Sequence, residues 1–319
     1  MEILFPYAEV KKKIDEASTV TILSHLNPDA DALGTALGIY ALLSKDKSKR
    51  VEVVNASSML PLYLDFLPNF KKIKHYMDYK ESLVISCDCG SIDRLGFELN
   101  GRDILNIDHH QSNTHYGSIN VILPEYASSS QVAFDLFKKD YDIDVDTATC
   151  FYTALLSDTR YFTTSSVNEK VFMAAKLLLD AGAKPHKVAK NFTQRRALSS
   201  LRILGKALAS LTLKKDAQVA IIYVSKEDIK ATGATVPDMD GIVDYGKSLT
   251  TVKVAIFAME LEEGIRISLR SKGLDISKVA LAFGGGGHKV AAGFTLKQCK
   301  LQTSIDTILE KIDELGLLK

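Results

Sequence analysis

Ile104-Leu105-Asn106-Ile107-Asp108-His109-His110 decides the reading of this chain, because a short, mostly apolar run ends directly on an acid and two imidazoles. A near-continuous apolar segment of this length reads as a strand covered on both faces, the habit of parallel sheets. The polar triplet then falls at the carboxyl end of the strand, the edge at which open α/β sheets bind ligands. Alone, such a triplet is weak evidence, since a single histidine at a strand end is usually structural.

The same arrangement recurs along the chain. Residues 20–24 form a β-branched run leading into Ser24-His25-Leu26-Asn27-Pro28-Asp29-Ala30-Asp31-Ala32-Leu33-Gly34, and residues 31–43 place apolar side chains at helical spacing. Asp29 and Asp31 enter that helix where Pro28 restricts the backbone and the helix amino end favours negative charge. Apolar runs over residues 51–54 and 83–87 predict further strands, the second ending on Asp88. Helical patterns follow over residues 128–137, 147–156 and 170–181. Asp158, in Leu156-Ser157-Asp158-Thr159, is less secure, since a Ser-Asp-Thr turn is also a common cap.

These segments carry imidazoles and carboxylates without a Lys or Arg beside them in sequence. Brought together, so many anions repel by several kcal/mol unless a positive charge sits among them. Imidazole with carboxylate and no thiolate suits manganese, magnesium or zinc. Two such ions about 3.5–4 Å apart clamp a phosphoester and generate a hydroxide, so phosphoester hydrolysis is the natural chemistry. Cys87 and Cys89 flank Asp88 and in an extended segment point away from it, as packing residues do. His75, His115 and His186 lack acidic company and are expected at the surface.

A chain of 319 residues exceeds the size at which one core keeps growing, so two domains are expected. Forty basic and 39 acidic residues leave a net charge of +1, which provides no polybasic footprint for long duplex nucleic acid. The four cysteines, at 87, 89, 150 and 299, form no CxxC pair, as expected of a reduced compartment. Met1-Glu2-Ile3-Leu4-Phe5-Pro6 lacks the basic start and apolar core of a signal peptide, and no apolar run reaches membrane-spanning length. The expectation is a soluble, cytoplasmic protein.

A helix over about residues 198–211 reads as a linker, after which the texture changes. Residues 219–224, 252–259 and 265–270 read as strands, and residues 305–315 as a closing helix. Ile265, Ile267 and Leu269 alternate with Arg266, Ser268 and Arg270, which predicts one buried and one cationic face. Then comes Phe283-Gly284-Gly285-Gly286-Gly287-His288-Lys289. Four glycines lose much backbone entropy on ordering, so the run implies positive φ or very close approach to something. A glycine run alone is more often a flexible turn. With His288, Lys289 and the cationic face ending at Arg270-Ser271 beside it, it reads as a loop whose backbone N–H groups cradle a nucleotide phosphate.

In this order the motifs resemble those of the DHH/DHHA1 phosphoesterase family over nearly the whole chain. His25 to Asp31 resembles its first motif, Asp88 its second, Asp108-His109-His110 its third, Asp158 its fourth, and Gly284 to His288 the DHHA1 signature. The resemblance implies a two-domain α/β protein. Its DHH domain (residues 1–190), a mainly parallel sheet flanked by helices, would be joined by a helical linker (191–211) to a smaller α/β DHHA1 domain (212–319). It also implies that His25 and Asp29 bind one Mn²⁺, that Asp31, His109 and Asp158 bind the other, and that Asp88 bridges them; Mg²⁺ or another divalent ion could substitute. A hydroxide between the ions would attack phosphorus, with His110 on the scissile phosphate and Asp108 orienting a neighbouring imidazole from behind. Arg270, Ser271, Gly286, Gly287 and His288 would grip the substrate. Two positions depart from the family pattern: Ala30 and Arg160 stand where glycine is common.

The compact length is similar to the nanoRNase/pAp phosphatase branch of that family, whose substrates are short oligonucleotides and 3′-phosphoadenosine 5′-phosphate (pAp). The near-neutral charge fits RNA of about two to five nucleotides, because long polymers need extended cationic tracks. Dimers are common among such relatives, and neither long duplexes nor membranes are expected partners. A linear or cyclic dinucleotide phosphodiesterase shares the chemistry, and a non-catalytic nucleotide-binding regulator is the alternative of another class. A manganese pyrophosphatase would lack the glycine-His stretch, and a RecJ-type exonuclease would add nucleic-acid-binding parts.

Overall fold

The structure, a computed structural model, describes residues 6–297 and 299–318; residues 1–5, on which the signal-peptide reading rests, lie outside them. The chain divides into two compact units, residues 1–195 and 196–319.

The first unit is organised by an all-parallel sheet of β1 (Thr19–Ser24), β2 (Arg50–Val54), β3 (Leu83–Cys87), β4 (Ile104–Asp108) and β5 (Ile119–Ile122), in the order β2-β1-β3-β4-β5. All residues of β1, β3 and β4 are buried, as continuous apolar runs demand of a sheet covered on both faces. β5 is short, with half-buried Asn120 and Ile122, and its pattern is too weak to announce a strand. After β1 the chain moves outward to β2 and then returns to the other side of β1 as β3. The topological switch point therefore lies between β1 and β3, and His25 and Asp88 are the residues that leave those two strands.

Six helices flank the sheet: α1 (Tyr7–Glu16), α2 (Ala30–Leu43), α3 (Ser129–Phe137), α4 (Val145–Asp158), α5 (Glu169–Asp180) and α6 (Pro185–Thr193). α2 is apolar around its whole circumference and every residue but Tyr40 is buried, so it is a core helix rather than an amphipathic one. Each fully buried Leu or Ile it contributes stabilises by roughly 1.5–3 kcal/mol, enough together to carry the cost of burying Asp31 in its first turn.

In the second unit α7 (Leu198–Ala209) packs Ile203 and Ala207 into a core with Ala220 and Ile222, so the expected linker helix belongs by its packing to this unit. The sheet has six strands in the order β10-β11-β9-β8-β7-β6: β6 (Thr212–Lys214), β7 (Val219–Val224), β8 (Val254–Leu261), β9 (Gly264–Ser271), β10 (Gly286–His288) and β11 (Ala291–Leu296). Only β7 and β8 run parallel. α8 (Lys226–Thr232), α9 (Ile242–Ser248), α10 (Ser277–Ala282) and α11 (Leu301–Glu314) complete the unit. Along β9 the burial alternates, with Ile265, Ile267 and Leu269 inside. Among the described residues no helix is long and apolar enough to cross a membrane.

α2 and α4 approach so closely that a Cβ on Gly34 would lie 2.7 Å from the Cys150 carbonyl oxygen and 2.8 Å from the Ala154 Cβ. Valine gains only about 0.4 kcal/mol over glycine in helix propensity, whereas overpacking costs about 1–3 kcal/mol and a β-branched side chain stands at the high end. Gly34→Val is expected to lower stability by about 2 kcal/mol in urea unfolding at constant m-value.

Candidate metal centre

The carboxyl edge of the first unit's sheet gathers His25, Asp88 and Asp108-His109-His110 because the strands preceding them are parallel neighbours in register. Asp88 is bent out of its strand by a left-handed backbone, φ +55°, while its N–H still bonds the Ile107 carbonyl at 3.0 Å. Aspartate tolerates this conformation better than most side chains. The bend turns its carboxylate toward three imidazoles.

His25 is buried, with Nδ1 2.8 Å from the Leu26 carbonyl and Nε2 3.8 Å from the Asp88 Oδ2. His109 repeats the design: Nδ1 lies 3.2 Å from the Tyr126 carbonyl, and Nε2 lies 3.8 Å from Asp31 Oδ2, 3.7 Å from Asp88 Oδ1 and 3.5 Å from Asp158 Oδ2. In both, a carbonyl that can only accept fixes the proton on Nδ1 and leaves the Nε2 lone pair facing carboxylates, the arrangement of metal-ligating histidines.

Asp29 caps α2, its Oδ1 accepting the N–H groups of Asp31 and Ala32 at 3.0 Å each. Asp31 is 2% exposed and sits on the amino end of α3, accepting Ser129 N–H at 2.7 Å and Ser130 N–H at 3.1 Å. Ser129 Oγ donates to Asp88 Oδ1 at 2.8 Å and lies 3.4 Å from Asp108 Oδ1. Asp158 ends α4.

Asp108 is fully buried and accepts the N–H groups of His109 (2.7 Å) and His110 (3.2 Å) as well as Asn113 Nδ2 (2.5 Å), while His110 Nδ1 stands 2.7 Å from its Oδ1. Burial opposes the charge on both partners, yet the His110 and Asn113 hydrogen bonds hold the Asp108 carboxyl below its ordinary range, and Asp108 raises the His110 imidazole.

Asp31, Asp88 and Asp158 are less fully compensated. Burial first, then Asp31 and Asp29, pushes Asp88 and Asp158 well above the usual carboxylate range, and burial raises Asp31 against the pull of His109 and the α3 amides. Three sets of side chains converge with ligand atoms within 4.8 Å of one another: His25, Asp29 and Asp88; Asp31, His109 and Asp158; and Asp88, His109 and His110. Carboxylates that repel one another, Asp31 and Asp88 of them buried, with imidazole lone pairs directed among them, are the donor set of a divalent-cation centre.

Sequence reading missed Ser129, Asn113 and Arg94. The serine run at residues 128–130, ahead of an apolar helix, was a legible capping signal; that it clamps Asp31 and Asp88 depends on the tertiary fold. The fold brings Arg94 Nη2 to 3.3 Å from His25 Nδ1, and Arg160, two residues beyond Asp158 in sequence, lies near that carboxylate. Arg160 occupies a left-handed position, φ +45°, where a glycine costs nothing, whereas Ala30 is an ordinary buried residue of α2. Cys87 and Cys89 are buried, and His75, His115 and His186 exposed.

In the second unit the glycine run is only partly a loop. Gly284 and Gly285 spend their N–H groups on the Leu281 and Ala280 carbonyls at 3.1 and 2.9 Å, and β10 pairs with β11 from Gly286 to His288. A Cβ on Gly285 would fall 2.3 Å from the Gly293 carbonyl oxygen and one on Gly287 2.5 Å from that of Ala291, so the close approach is to the neighbouring strand. Gly286 and His288 are exposed on this edge. β9 ends nearby, with Arg270 paired in register to Ala291 and its Nε 3.9 Å from Asp244 Oδ1. Ser271 is buried and donates to the Leu274 carbonyl at 2.5 Å.

An all-parallel sheet with His and Asp at its switch point, followed by a mixed sheet carrying a glycine-His edge, defines a DHH/DHHA1 phosphoesterase, and the chain belongs to that family. The model of the DHH family, N-terminal domain, matches residues 19–155, and that of the DHHA1 domain residues 216–315. Within the family it falls in the NrnA-like branch. The chain is 30% identical over 96% of its length to the bifunctional oligoribonuclease and PAP phosphatase NrnA of Thermus thermophilus, covering 92% of that protein. It is 23% identical over 90% of its length to the protein of the same name from Bacillus subtilis, again covering 92%. The fold matches the crystal structure of an exopolyphosphatase-related protein from Bacteroides fragilis with a TM-score of 0.91, 27% identity and 99% coverage of both chains. The protein is a hydrolytic enzyme of a metal-dependent family.

Carboxyls with raised pKa stabilise the metal-free fold when protonated, a contribution present at low pH and lost as pH rises through their folded values. A divalent ion binds the deprotonated form. Stabilisation by Mn²⁺, read as the increase in Tm, is therefore expected to be larger at about pH 8 than at about pH 6; in free energy it amounts to about 2.7 kcal/mol when the ion stands at 100 times its Kd. An equal shift at both pH values would contradict this assignment.

Proposed function

We propose that the protein is a manganese-dependent phosphodiesterase and phosphatase that cuts very short oligoribonucleotides to mononucleotides and removes a phosphate from pAp. The observation that carries this reading is the sharing of Asp88: the ligand set of His25 and Asp29 and the set containing His109 and His110 both include it. The donor chemistry fits two divalent ions, with His25 and Asp29 on one, Asp31, His109 and Asp158 on the other, and Asp88 between. When bound, such a pair supplies positive charge to phosphoryl oxygens and acidifies water.

The chain's own residues do the remainder. Ser129 donates to one Asp88 oxygen and so helps orient the carboxylate between the two sets. His110 is pinned through Nδ1 by Asp108, which sets the orientation of its ring, and its Nε2 would face a scissile phosphate, with the Asp108 charge favouring a proton on the imidazole. In the second unit, Arg270 and the exposed Gly286–His288 edge would take a terminal phosphate, with Gly287 keeping the strand pair close and Ser271 bracing the turn. We assign catalysis to residues 1–190 and substrate grip to residues 212–319, with residues 191–211 between them. The relatives named for oligoribonuclease and PAP phosphatase activity, together with the net charge of +1, support short anionic substrates over polymers.

A product time course with Mn²⁺ over pAp, pApA, longer RNA, DNA and cyclic di-AMP tests the reading. Mononucleotide release fastest from the shortest RNA, with pAp also consumed, is expected; preference for cyclic di-AMP would transfer the assignment to a cyclic dinucleotide phosphodiesterase. Asp88→Ala should abolish turnover of every substrate. Arg270→Ala should raise KM about tenfold or more for substrates with a terminal phosphate while changing kcat little, the signature of binding shared by ground and transition states.

A further inference from the structure

We propose that Arg94 is a further catalytic residue, whose guanidinium contacts a non-bridging oxygen of the scissile phosphoryl group; this deepens the phosphoester reading and rests on it. Arg94 lies in a short 3₁₀ turn, Ile92–Leu95, just after Asp88. Its carbonyl accepts the Leu26 N–H at 2.7 Å and its own N–H bonds the Ser91 carbonyl at 3.2 Å. Leu95 beside it is fully buried, and a Cβ on Gly96 would meet Ala56 at 2.8 Å. The backbone that carries Arg94 is thereby fixed to the segment that carries His25.

The side chain is exposed, and its Nη2 stands 3.3 Å from His25 Nδ1. That nitrogen is also 2.8 Å from the Leu26 carbonyl, which competes for it. A guanidinium carries five N–H donors, so even a long bond to His25 leaves most of them for another acceptor. Among the described residues no carboxylate comes within ion-pairing distance of Arg94, although the most acidic cluster of the chain is next to it. A structural arginine in that position would have taken one of those carboxylates. This one is held at the rim with its planar fork directed to no acid of the protein, which suits an oxyanion that arrives with the substrate.

Charge balance gives the same answer. With two divalent ions bound, the five aspartates Asp29, Asp31, Asp88, Asp108 and Asp158 would, if ionised, still exceed the four positive charges by one. A phosphodiester would add to that excess, and Arg94 is the guanidinium that geometry places beside it. A donor aimed at charge that develops in the transition state contributes about 10²–10³ in kcat where bound substrate displaces water.

The test compares wild type, Arg94→Ala and Arg94→Lys, each titrated with Mn²⁺ by calorimetry and assayed for pApA turnover. The expected result is Mn²⁺ affinity within about twofold of wild type, kcat lower by about 100-fold in the alanine variant, and partial recovery with lysine. Turnover within about threefold of wild type, or a loss of Mn²⁺ affinity that accounts for the loss of rate, overturns the proposal, the second by showing that Arg94 acts only by supporting His25. Should wild type leave pApA intact, the proposed substrate falls, and Arg94 is judged by AMP binding to the Mn²⁺-loaded protein. Affinity about tenfold weaker in Arg94→Ala then supports the contact, whereas unchanged affinity, or no AMP binding by wild type, overturns it.

Discussion

The first unit is built around one electrostatic conflict, the crowding of Asp31, Asp88, Asp108 and Asp158 at one sheet edge. Protein groups relieve it unevenly. Asp108 receives an imidazole, an asparagine amide and two backbone N–H groups, and stays ionised although fully buried. Asp31 receives the amino end of α3, and Asp88 a single serine hydroxyl. The residue of the conflict is concentrated on Asp88 and Asp158, whose carboxyls are pushed furthest upward. The fold keeps this arrangement because the core around it is large: α2, which carries Asp31, is buried on every side.

The strands and helices that place these groups were legible because their signals are local. Continuous apolar runs at 83–87 and 104–107 could only be strands buried on both faces, and the polar residue ending each could be assigned to the ligand edge before any coordinate was known. β5 escaped because it is short and contains Asn120, whose side chain serves a buried amide network with Asn106. α1 and α6 escaped because their buried residues are few, Val10 and Ile14 in one and Val188 in the other. Clamps across the fold could not be read at all. Ser129 and Asp31 are 98 residues apart, and no periodicity connects an amide to a carboxylate over that distance.

The glycine run shows the opposite case, a motif visible at once whose physical cause had to wait. Four glycines suggest a cradle for a ligand, but two of the positions exclude a side chain because β11 lies against them. What the packing leaves exposed is narrower: the edge at Gly286 and His288, beside the end of the strand that carries Arg270. Which N–H groups that edge can offer depends on how flatly two strands lie together.

Gathering the ligands from the ends of β1, β3, β4 and α4, together with the first turn of α2, also governs how the molecule can fold. Positions 25, 88, 109 and 158 meet only after the parallel order β1-β3-β4 exists, and each such pairing closes a long loop. A divalent ion cannot nucleate the chain as zinc does a small finger, because no local segment offers it a complete site. Before the sheet forms, the acids remain far apart, solvated and unrepelled. The repulsion arises only as the sheet closes, so the charge conflict that would draw a cation marks a chain that has completed its topology.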